Sequence, residues 1–576
     1  MEKDAGGQLF ARYVVEGDHG GSDYFGLIKE LVARRSAEGP SWQPAIDRAY
    51  SLLRREIVEN RGRPTEPVTF GTSGWRGLLG KDIFVRSVVV VTRAIIELYA
   101  GLEKDSANAV HLGVGSCQEA QRRGCVLGFD NRFGGEILAA AAAETLLAAG
   151  FVVHYAGEST TGALSAAVLE LAAAFSINLT PSHNPLEYGG YKYNAADAGP
   201  AAAVLTERIT ANARRLMDEG VIFDSDEYAG KIPDSPNLRP FDALACWQNL
   251  VRRNQGLHGL DLDRIVAAFH ERRDIVAAVD SVHGASRLHI RRLFAGSGSD
   301  RLVTLRDTAD VTFGGIAPEP STANMRSVVE TVGSRPERLR LGAIIDPDGD
   351  RIRFTDGVKE ISMNQFGAMA YHFLHQYRGK RGMVAKTVAT SNLANCLAAA
   401  FGEELFEPKV GFKEFKPVIG RALVFFEESD GISVIGHTPE KDAYIGLLLA
   451  LDMVMTTGRN LGEYLQEIED AYGAYYPDRD GVAVRLKGRE LLEVLSRLDK
   501  YGPGVKVAVG GQEKTIVEVI TLDGRKMILD DGSWLMIRPS GTEPKIRFYV
   551  ESRTAAGTVH LVATARAMLA EIGLLE

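Results

Sequence analysis

A strand-then-helix alternation that starts three times along the chain limits its fold more than any other feature of the sequence. In the first unit, from Val68 to about Asp234, Cys125–Asp130 reads as a strand, Gly134–Ala149 as an alanine-rich helix and Phe151–Tyr155 as a second strand. The apolar run Ala172–Leu179 is a further buried strand. Short apolar runs between helical patterns are strands covered on both faces, and their alternation with helices builds a parallel sheet. Polar, Pro-rich Ile232–Pro236 punctuates the unit's end. The pattern restarts with Asp274–Asp280 and Leu341–Asp346. It restarts again near Asn364, with strands Gly382–Thr387 and Ala422–Phe426 and a helix Tyr444–Thr457. The C-terminal stretch differs: Gly481–Leu486 and Lys545–Glu551 alternate like half-exposed strands, and a helix spans Ala555–Ile572. The expected fold class is therefore α/β, three successive α/β units and then a smaller α+β unit.

A chain of 576 residues is too long for one hydrophobic core. The expected divisions are an N-terminal helical extension over 1–66, amphipathic from Tyr24 through Val58, then domains over 67–235, 236–363, 364–472 and 473–576. No apolar run reaches the length of a membrane span, so no membrane partner is expected. The start, Met1-Glu2-Lys3-Asp4, lacks the basic, then apolar character of a signal peptide. The four cysteines form no metal-ligand pair, which suits a reducing cytoplasm. A net charge of −9 argues against nucleic acid as a partner. Any phosphate recognition must come from local groups acting against the overall field.

Such groups are present. Thr180-Pro181-Ser182-His183-Asn184-Pro185 follows the strand that ends at Leu179, and its two prolines stiffen the backbone around the serine. A rigid serine beside a histidine at a strand's mouth is placed to carry a covalent group. Asp346-Pro347-Asp348-Gly349-Asp350-Arg351 follows another buried strand. Its three carboxylates repel one another unless something neutralises them. Gly349 lets the turn fold tightly, and hard oxygen ligands without His or Cys favour Mg²⁺ over Zn²⁺; the alternative is a solvated acidic turn. Arg538-Pro539-Ser540-Gly541-Thr542-Glu543-Pro544, with Arg547 beyond it, combines guanidinium, hydroxyls and an open backbone, which suits a bound dianion. Phe426-Glu427-Glu428-Ser429-Asp430-Gly431 sets a carboxylate and a hydroxyl two residues apart, able to grip sugar hydroxyls. Phe70-Gly71-Thr72-Ser73-Gly74-Trp75-Arg76-Gly77 is a Gly-rich loop with one arginine. Taken singly, the last two are weak signals.

Together, and in this order, these segments resemble the α-D-phosphohexomutase superfamily from about Val68 to the C-terminus. Tyr188-Gly189-Gly190-Tyr191-Lys192 and Val410-Gly411-Phe412-Lys413 complete the set of motifs. The resemblance implies a four-domain architecture with mixed sheets and the active site in a central cleft. Ser182 would carry a phosphoryl group and pass it to a hexose phosphate, giving a bisphosphorylated intermediate. Asp346, Asp348, Asp350 and a phosphoserine oxygen would hold Mg²⁺, and hexose 1,6-bisphosphate would act as activator. Arg76, Lys192 and Arg351 would offset the spreading negative charge, with His183 or Lys192 handling the proton. Lys413 would contact substrate and Glu427 with Ser429 would hold sugar hydroxyls. Arg538, Ser540, Gly541, Thr542 and Arg547 would grip the phosphate that is not reacting. The resemblance allows a monomer or a homodimer.

The chain departs from the family pattern at Pro181, Phe426, Asp430 and Ala443. The last three cluster around the sugar-reading loop and so bear on substrate identity. The full segment, EESDGISVIGHTPEKDA, looks most like the phosphoglucomutase branch, which points to glucose phosphate ahead of mannose or glucosamine phosphate. A sugar-phosphate phosphatase is a rival of different reaction class, although a second phosphate grip is superfluous for hydrolysis. A silent sugar-phosphate sensor is another, although it would need no metal-activated nucleophile.

Overall fold

The computed structural model describes residues 2–71, 74–102, 109–220, 231–294, 300–486, 488–540 and 545–575. Its strands form four sheets. In the first, the parallel strands Phe175–Leu179, Cys125–Phe129, Val153–Glu158 and Leu238–Pro240 are extended by antiparallel Tyr188–Ala195 and Trp75–Leu78. The second joins parallel Leu339–Ile345, Ile275–Asp280 and Leu302–Leu305 to antiparallel Ile352–Thr355 and Glu360–Ile361. The third sets parallel Leu405–Phe406, Met383–Lys386 and Ala422–Glu427 beside antiparallel Gly431–Val434. The fourth, from Tyr476 to Ser552, is antiparallel throughout. The α/β class with mixed sheets followed by an antiparallel C-terminal unit is thus the observed one.

Burial explains why these runs are strands. Phe175–Leu179, Ile275–Asp280 and Ala422–Glu427 are buried at every position, as expected of strands with helices on both faces. Such strands end at loops where the polar residues collect: Thr180–Pro185 follows Phe175–Leu179, and Glu428–Gly431 follows Ala422–Glu427.

One local expectation is corrected. The C-terminal strand expected at Gly481–Leu486 runs instead over Tyr476–Ala483, paired with Lys545–Ser552 from Tyr476↔Ser552 to Ala483↔Lys545. Polar Tyr476-Pro477-Asp478-Arg479-Asp480 fits because the strand is at the sheet's edge, where proline and charge are tolerated. The amphipathic stretch from Tyr24 to Val58 is two helices, Tyr24–Glu38 and Gln43–Glu59. Gly39, at φ +105°, and Pro40 separate them, a left-handed glycine followed by a residue without an amide donor.

The extension is not a separate body. Leu27, Ile28, Leu31, Ile46, Leu53 and Ile57 share one core with residues of the first sheet such as Ile177 and Tyr191. A second core runs through the units of the first three sheets, with Trp247, Ile345, Phe354, Phe426 and Tyr444 in it. The C-terminal unit has its own core. Among the described residues no helix is long and apolar enough to cross a membrane.

Candidate active site

The serine loop is built by a chain of buried hydrogen bonds. Asp130 ends the strand Cys125–Phe129 and accepts from Thr180 Oγ1 at 2.6 Å. Thr180 Oγ1 in turn accepts from the Ser182 amide at 2.8 Å. Arg132 Nη2 donates to the Ser182 carbonyl at 2.7 Å and Nη1 to that of Pro185 at 2.6 Å. These bonds hold Ser182 at φ +58°, a left-handed conformation that costs a non-glycine residue about 1–3 kcal/mol and persists only where surroundings over-determine it. The serine's direction is therefore imposed by the scaffold. Neither Asp130 nor Arg132 carried a signal beyond lying at the mouth of a predicted strand.

Across the cleft, the loop after Leu339–Ile345 brings the three carboxylates together. Gly349 has φ +66°, and a Cβ there would lie 2.6 Å from Thr160 Cγ2, so only glycine fits. Asp346 Oδ1 accepts from the amides of Asp350 and Arg351 at 3.0 Å each. Ser182 Oγ donates to Asp346 Oδ2 at 2.9 Å, joining the two loops. Lys192 Nζ donates to Asp348 Oδ2 at 2.5 Å and Asp350 Oδ2 at 2.6 Å. Thr161 Oγ1 also donates to Asp348 Oδ2, at 2.7 Å. Lys441, which the sequence reading passed over, sits 3.5 Å from Asp350 Oδ2. The only hint to it was its place in the Glu440-Lys441-Asp442 run between strand and helix.

The electrostatics follow from burial and crowding. Burial, then Asp348 and Asp350, push the Asp346 carboxyl well above the ordinary carboxylate range. Burial acts on Asp350 in the same direction, but Lys192, Lys441 and Arg351 outweigh it and hold its pKa below the usual range. Burial would lower the pKa of Lys192, yet Asp348 and Asp350 raise it above that of an ordinary lysine. His183 Nδ1 lies 3.3 Å from Ser182 Oγ. Burial, with Arg351 and Arg76 nearby, holds that ring neutral, far below its usual pKa. Arg76 is anchored through Nη1 to Asn184 Oδ1 at 2.8 Å.

One oxygen of each carboxylate lies within 4.8 Å of the others, a spacing that could hold a metal ion. Among the described residues, the buried atoms Asp348 Oδ1 and Asp350 Oδ1 have no hydrogen-bond partner. Buried carboxylate oxygens without donors are expensive, and an all-oxygen set of this kind fits Mg²⁺.

The remaining predicted residues lie on neighbouring loops. Glu427 is buried, and burial raises its pKa against the pull of Lys441, with Ser429 as a hydrogen-bond partner. Lys413 is half-buried on the turn Phe412–Val418, whose Phe412 ring lies 5.5 Å from Lys441 Nζ. Arg538 and Arg547 face each other directly across paired strands. Two guanidiniums in that position repel unless an anion lies between them or nearby. Arg538 Nε is also 3.2 Å from Asp523 Oδ2, which accepts from the Val410 amide at 3.0 Å and so links this unit to the Val410–Lys413 segment. The Ser540 amide donates to the Lys545 carbonyl at 2.8 Å. Gly541 and Thr542 lie outside the described residues, as do Thr72 and Ser73 of the Gly-rich loop.

The three departures expected to bear on the sugar are absorbed by the scaffold. Phe426 is fully buried and packs on Gly367, where an added Cβ would come within 2.1 Å of its ring. Asp430 takes φ +69° and pairs with Arg353, Oδ2 to Nη2, at 2.8 Å. Ala443 opens the helix Ala443–Thr457 and its amide donates to the Gly349 carbonyl at 3.1 Å. Phe426→Leu is therefore expected to cost roughly 1–3 kcal/mol, read by denaturant unfolding. The ratio of kcat/KM between competing sugars should stay within twofold, roughly the effect of less than half a kcal/mol. A change of preferred sugar would contradict the core assignment.

Comparison with known proteins agrees with this geometry. Four models described as phosphoglucomutase/phosphomannomutase domains match consecutive parts of the chain: alpha/beta/alpha domain I over residues 67–219, domain II over 262–359, domain III over 362–472 and the C-terminal domain over 482–567. A phosphoglucomutase/phosphomannomutase of Thermococcus kodakarensis is 27% identical, with 84% of this chain and 94% of the relative covered. The fold is shared with parafusin, a phosphoglucomutase from Paramecium in its open form, at a TM-score of 0.66 and 20% identity over 89% of this chain and 95% of that one. It is also shared with Aspergillus fumigatus N-acetylphosphoglucosamine mutase in complex with GlcNAc-6P and magnesium, at a TM-score of 0.51 and 13% identity over 90% and 99% of the two chains.

Proposed function

The chain belongs to the phosphoglucomutase/phosphomannomutase family of isomerases, and on that premise we propose that it interconverts hexose 1-phosphate and hexose 6-phosphate, with glucose as the preferred sugar. The observation that carries the reading is the contact between Ser182 Oγ and Asp346 Oδ2 at 2.9 Å, a hydroxyl delivered into a buried carboxylate cluster. Ser182 carries the phosphoryl group, and hexose 1,6-bisphosphate is the activator that supplies it. The substrate's free hydroxyl attacks phosphorus, its new P–O bond forming as the bond to Ser182 Oγ breaks. Mg²⁺ held by Asp346, Asp348, Asp350 and a phosphoserine oxygen would offset charge on the transferring group.

The chain's own residues supply the rest. Lys192 is held protonated by Asp348 and Asp350 and acts as a fixed positive charge. His183, held neutral 3.3 Å from Ser182 Oγ, accepts the attacking hydroxyl's proton. Arg76 and Arg351 steady the oxygens of the transferring group. Glu427 and Ser429 grip sugar hydroxyls and Lys413 contacts the substrate. Arg538, Ser540, Gly541, Thr542 and Arg547 hold the far phosphate, whose binding energy positions the reacting end. The bisphosphorylated sugar then turns over and returns its other phosphoryl group to Ser182. A grip of this kind is needed for a swap and idle in a hydrolysis, which favours a mutase over a phosphatase.

The test is an assay of glucose 1-phosphate, mannose 1-phosphate and glucosamine 1-phosphate with Mg²⁺ and a trace of the matching bisphosphate. Isomerisation is expected with glucose 1-phosphate ahead by about tenfold in kcat/KM, the effect of one net hydrogen bond to a sugar hydroxyl of about 1.4 kcal/mol. Preference for another sugar would refute the glucose assignment. Free phosphate without isomerisation would refute the mutase in favour of a phosphatase, and no turnover at all would leave the sensor reading.

A further inference from the structure

Residues ahead of the matched family segments touch the segment that follows the serine loop. On the helix Tyr24–Glu38, Lys29 Nζ lies 2.6 Å from Glu187 Oε1, two residues beyond Pro185. One turn and a half further on, Arg35 Nη2 donates to Thr312 Oγ1 at 2.9 Å and lies 3.4 Å from Asp310 Oδ2. Arg35 Nη1 donates to Gln43 Oε1 at 2.7 Å, so the next helix fixes the guanidinium from its other side. Between Lys29 and Arg35, Val32 packs on Gly315, where a Cβ would meet its Cγ1 at 3.0 Å.

The gripped segment, 310–315, is itself part of the site's frame. Asp310 Oδ1 accepts from the Thr312 amide and hydroxyl at 2.8 and 2.6 Å, and its carbonyl accepts from Asn131 Nδ2 at 3.1 Å. Phe313 is fully buried, and the Arg132 guanidinium lies 4.9 Å from its ring centre. Arg132 is the residue whose Nη atoms hold the Ser182 and Pro185 carbonyls. A continuous path thus runs from Arg35 through Asp310 and Phe313 to Arg132 and Ser182. It crosses from the segment after the second sheet's strand Leu302–Leu305 to the loop of the first sheet.

We propose that the N-terminal helices are a positioning element for phosphoryl transfer, with Arg35 acting through Asp310, Phe313 and Arg132 to keep Ser182 in register with the Asp346–Asp350 loop. This rests on the reading of Ser182 as the phosphoryl carrier. Ser182 and the carboxylates stand on different sheets, and a misplacement of about 1 Å between reacting groups costs on the order of 100-fold in rate. Ser182 also sits in a conformation that its surroundings must enforce. Arg35 and Lys29 touch no substrate; they are positioning residues.

The test compares Arg35→Ala, Arg35→Lys and Lys29→Ala with Arg55→Ala, which removes an exposed arginine of the same extension paired only loosely with Glu59 at 3.6 Å. Hydrogen exchange at the Ser182 and Asn184 amides of the unliganded protein should speed up about tenfold in Arg35→Ala, a loss of roughly 1.4 kcal/mol of local protection. The same variant should lose about tenfold in kcat with KM within about twofold, the signature of an interaction realised only in the transition state. Arg35→Lys should recover part of both effects, and Arg55→Ala should show neither. Unchanged exchange and kcat in Arg35→Ala, or equal changes in Arg55→Ala, would overturn the proposal. Should Arg35→Ala fail to fold, Thr312→Val, which removes the hydroxyl's bonds to both Arg35 and Asp310, should show the same faster exchange and lower kcat, and unchanged values there would overturn the proposal. If the wild type has no mutase activity the reading of Ser182 falls, while the exchange comparison still decides whether the extension holds the loop.

Discussion

Replacing Ser182 with alanine is expected to lower turnover by roughly 10⁴-fold or more, the scale seen when a covalent nucleophile is removed. Two neighbouring hydroxyls are already committed. Thr180 Oγ1 is spent on Asp130 and on the Ser182 amide, and Thr161 Oγ1 donates to Asp348. The fold should survive, because the loop is held by Thr180 and Arg132 through the backbone of residue 182, and alanine keeps that backbone. Intact-mass analysis after treatment with hexose 1,6-bisphosphate should find one phosphoryl group on the wild type and none on Ser182→Ala. A wild type that stays unmodified, or a variant that keeps more than about 1% of activity, against the 10⁴-fold loss expected, would end the covalent mechanism.

Asp348→Asn should lower activity and remove the stabilisation that Mg²⁺ confers. Asp346, Asp348 and Asp350 are all buried, with ligand oxygens within 4.8 Å of one another. Two carboxylates about 4 Å apart repel by about 4 kcal/mol at an effective dielectric near 20. The raised pKa of Asp346 is one sign of that crowding. Asparagine relieves the repulsion. Its carbonyl oxygen can still accept from Thr161 and Lys192, while its amide replaces Oδ1, the atom left without a partner. In the metal-free protein that relief is offset by the lost ion pair between Asp348 and Lys192 Nζ at 2.5 Å, so each protein is compared with itself, with and without Mg²⁺. Mg²⁺ stabilises a protein in proportion to how tightly the native state binds it, so the rise in Tm on adding Mg²⁺ should shrink or vanish. Turnover should fall by about 10²–10³-fold, as when one preorganised electrostatic group is lost. Thermal unfolding with and without Mg²⁺, beside a steady-state assay, gives both quantities. An Asp348→Asn protein with the wild-type Mg²⁺ shift would refute the metal assignment.

Much of this site was legible because its chemistry is carried by contiguous segments. TPSHNP, DPDGDR and RPSGTEP each pack several reactive groups into a single loop, and the first two follow strands readable from their apolar runs. The residues that were missed act alone and at a distance. Arg132 is one arginine in the loop after a strand, and Lys441 one lysine before a helix. Each matters because the tertiary fold brings it against a loop at least 50 residues away, as when Arg132 reaches Ser182. Phe426 and Asp430 erred the other way. Next to Glu427 and Ser429 in sequence, they look functional, yet Phe426 packs on Gly367 and Asp430 pairs with Arg353. In a strand, neighbouring side chains point to opposite faces, so adjacency to Glu427 says little about sharing its environment.

From the sequence alone came the α/β class, the order of its units, the serine and the carboxylate triplet, since periodicity and local motifs are properties of neighbours along the chain. What the tertiary structure decided is how those loops face each other: Ser182 against Asp346, Lys192 between Asp348 and Asp350, Arg538 opposite Arg547, and the N-terminal helices against the segment that follows the serine loop. Those relations depend on sheet order, strand register and which surfaces find each other in packing, and none of these is written in any single stretch of residues.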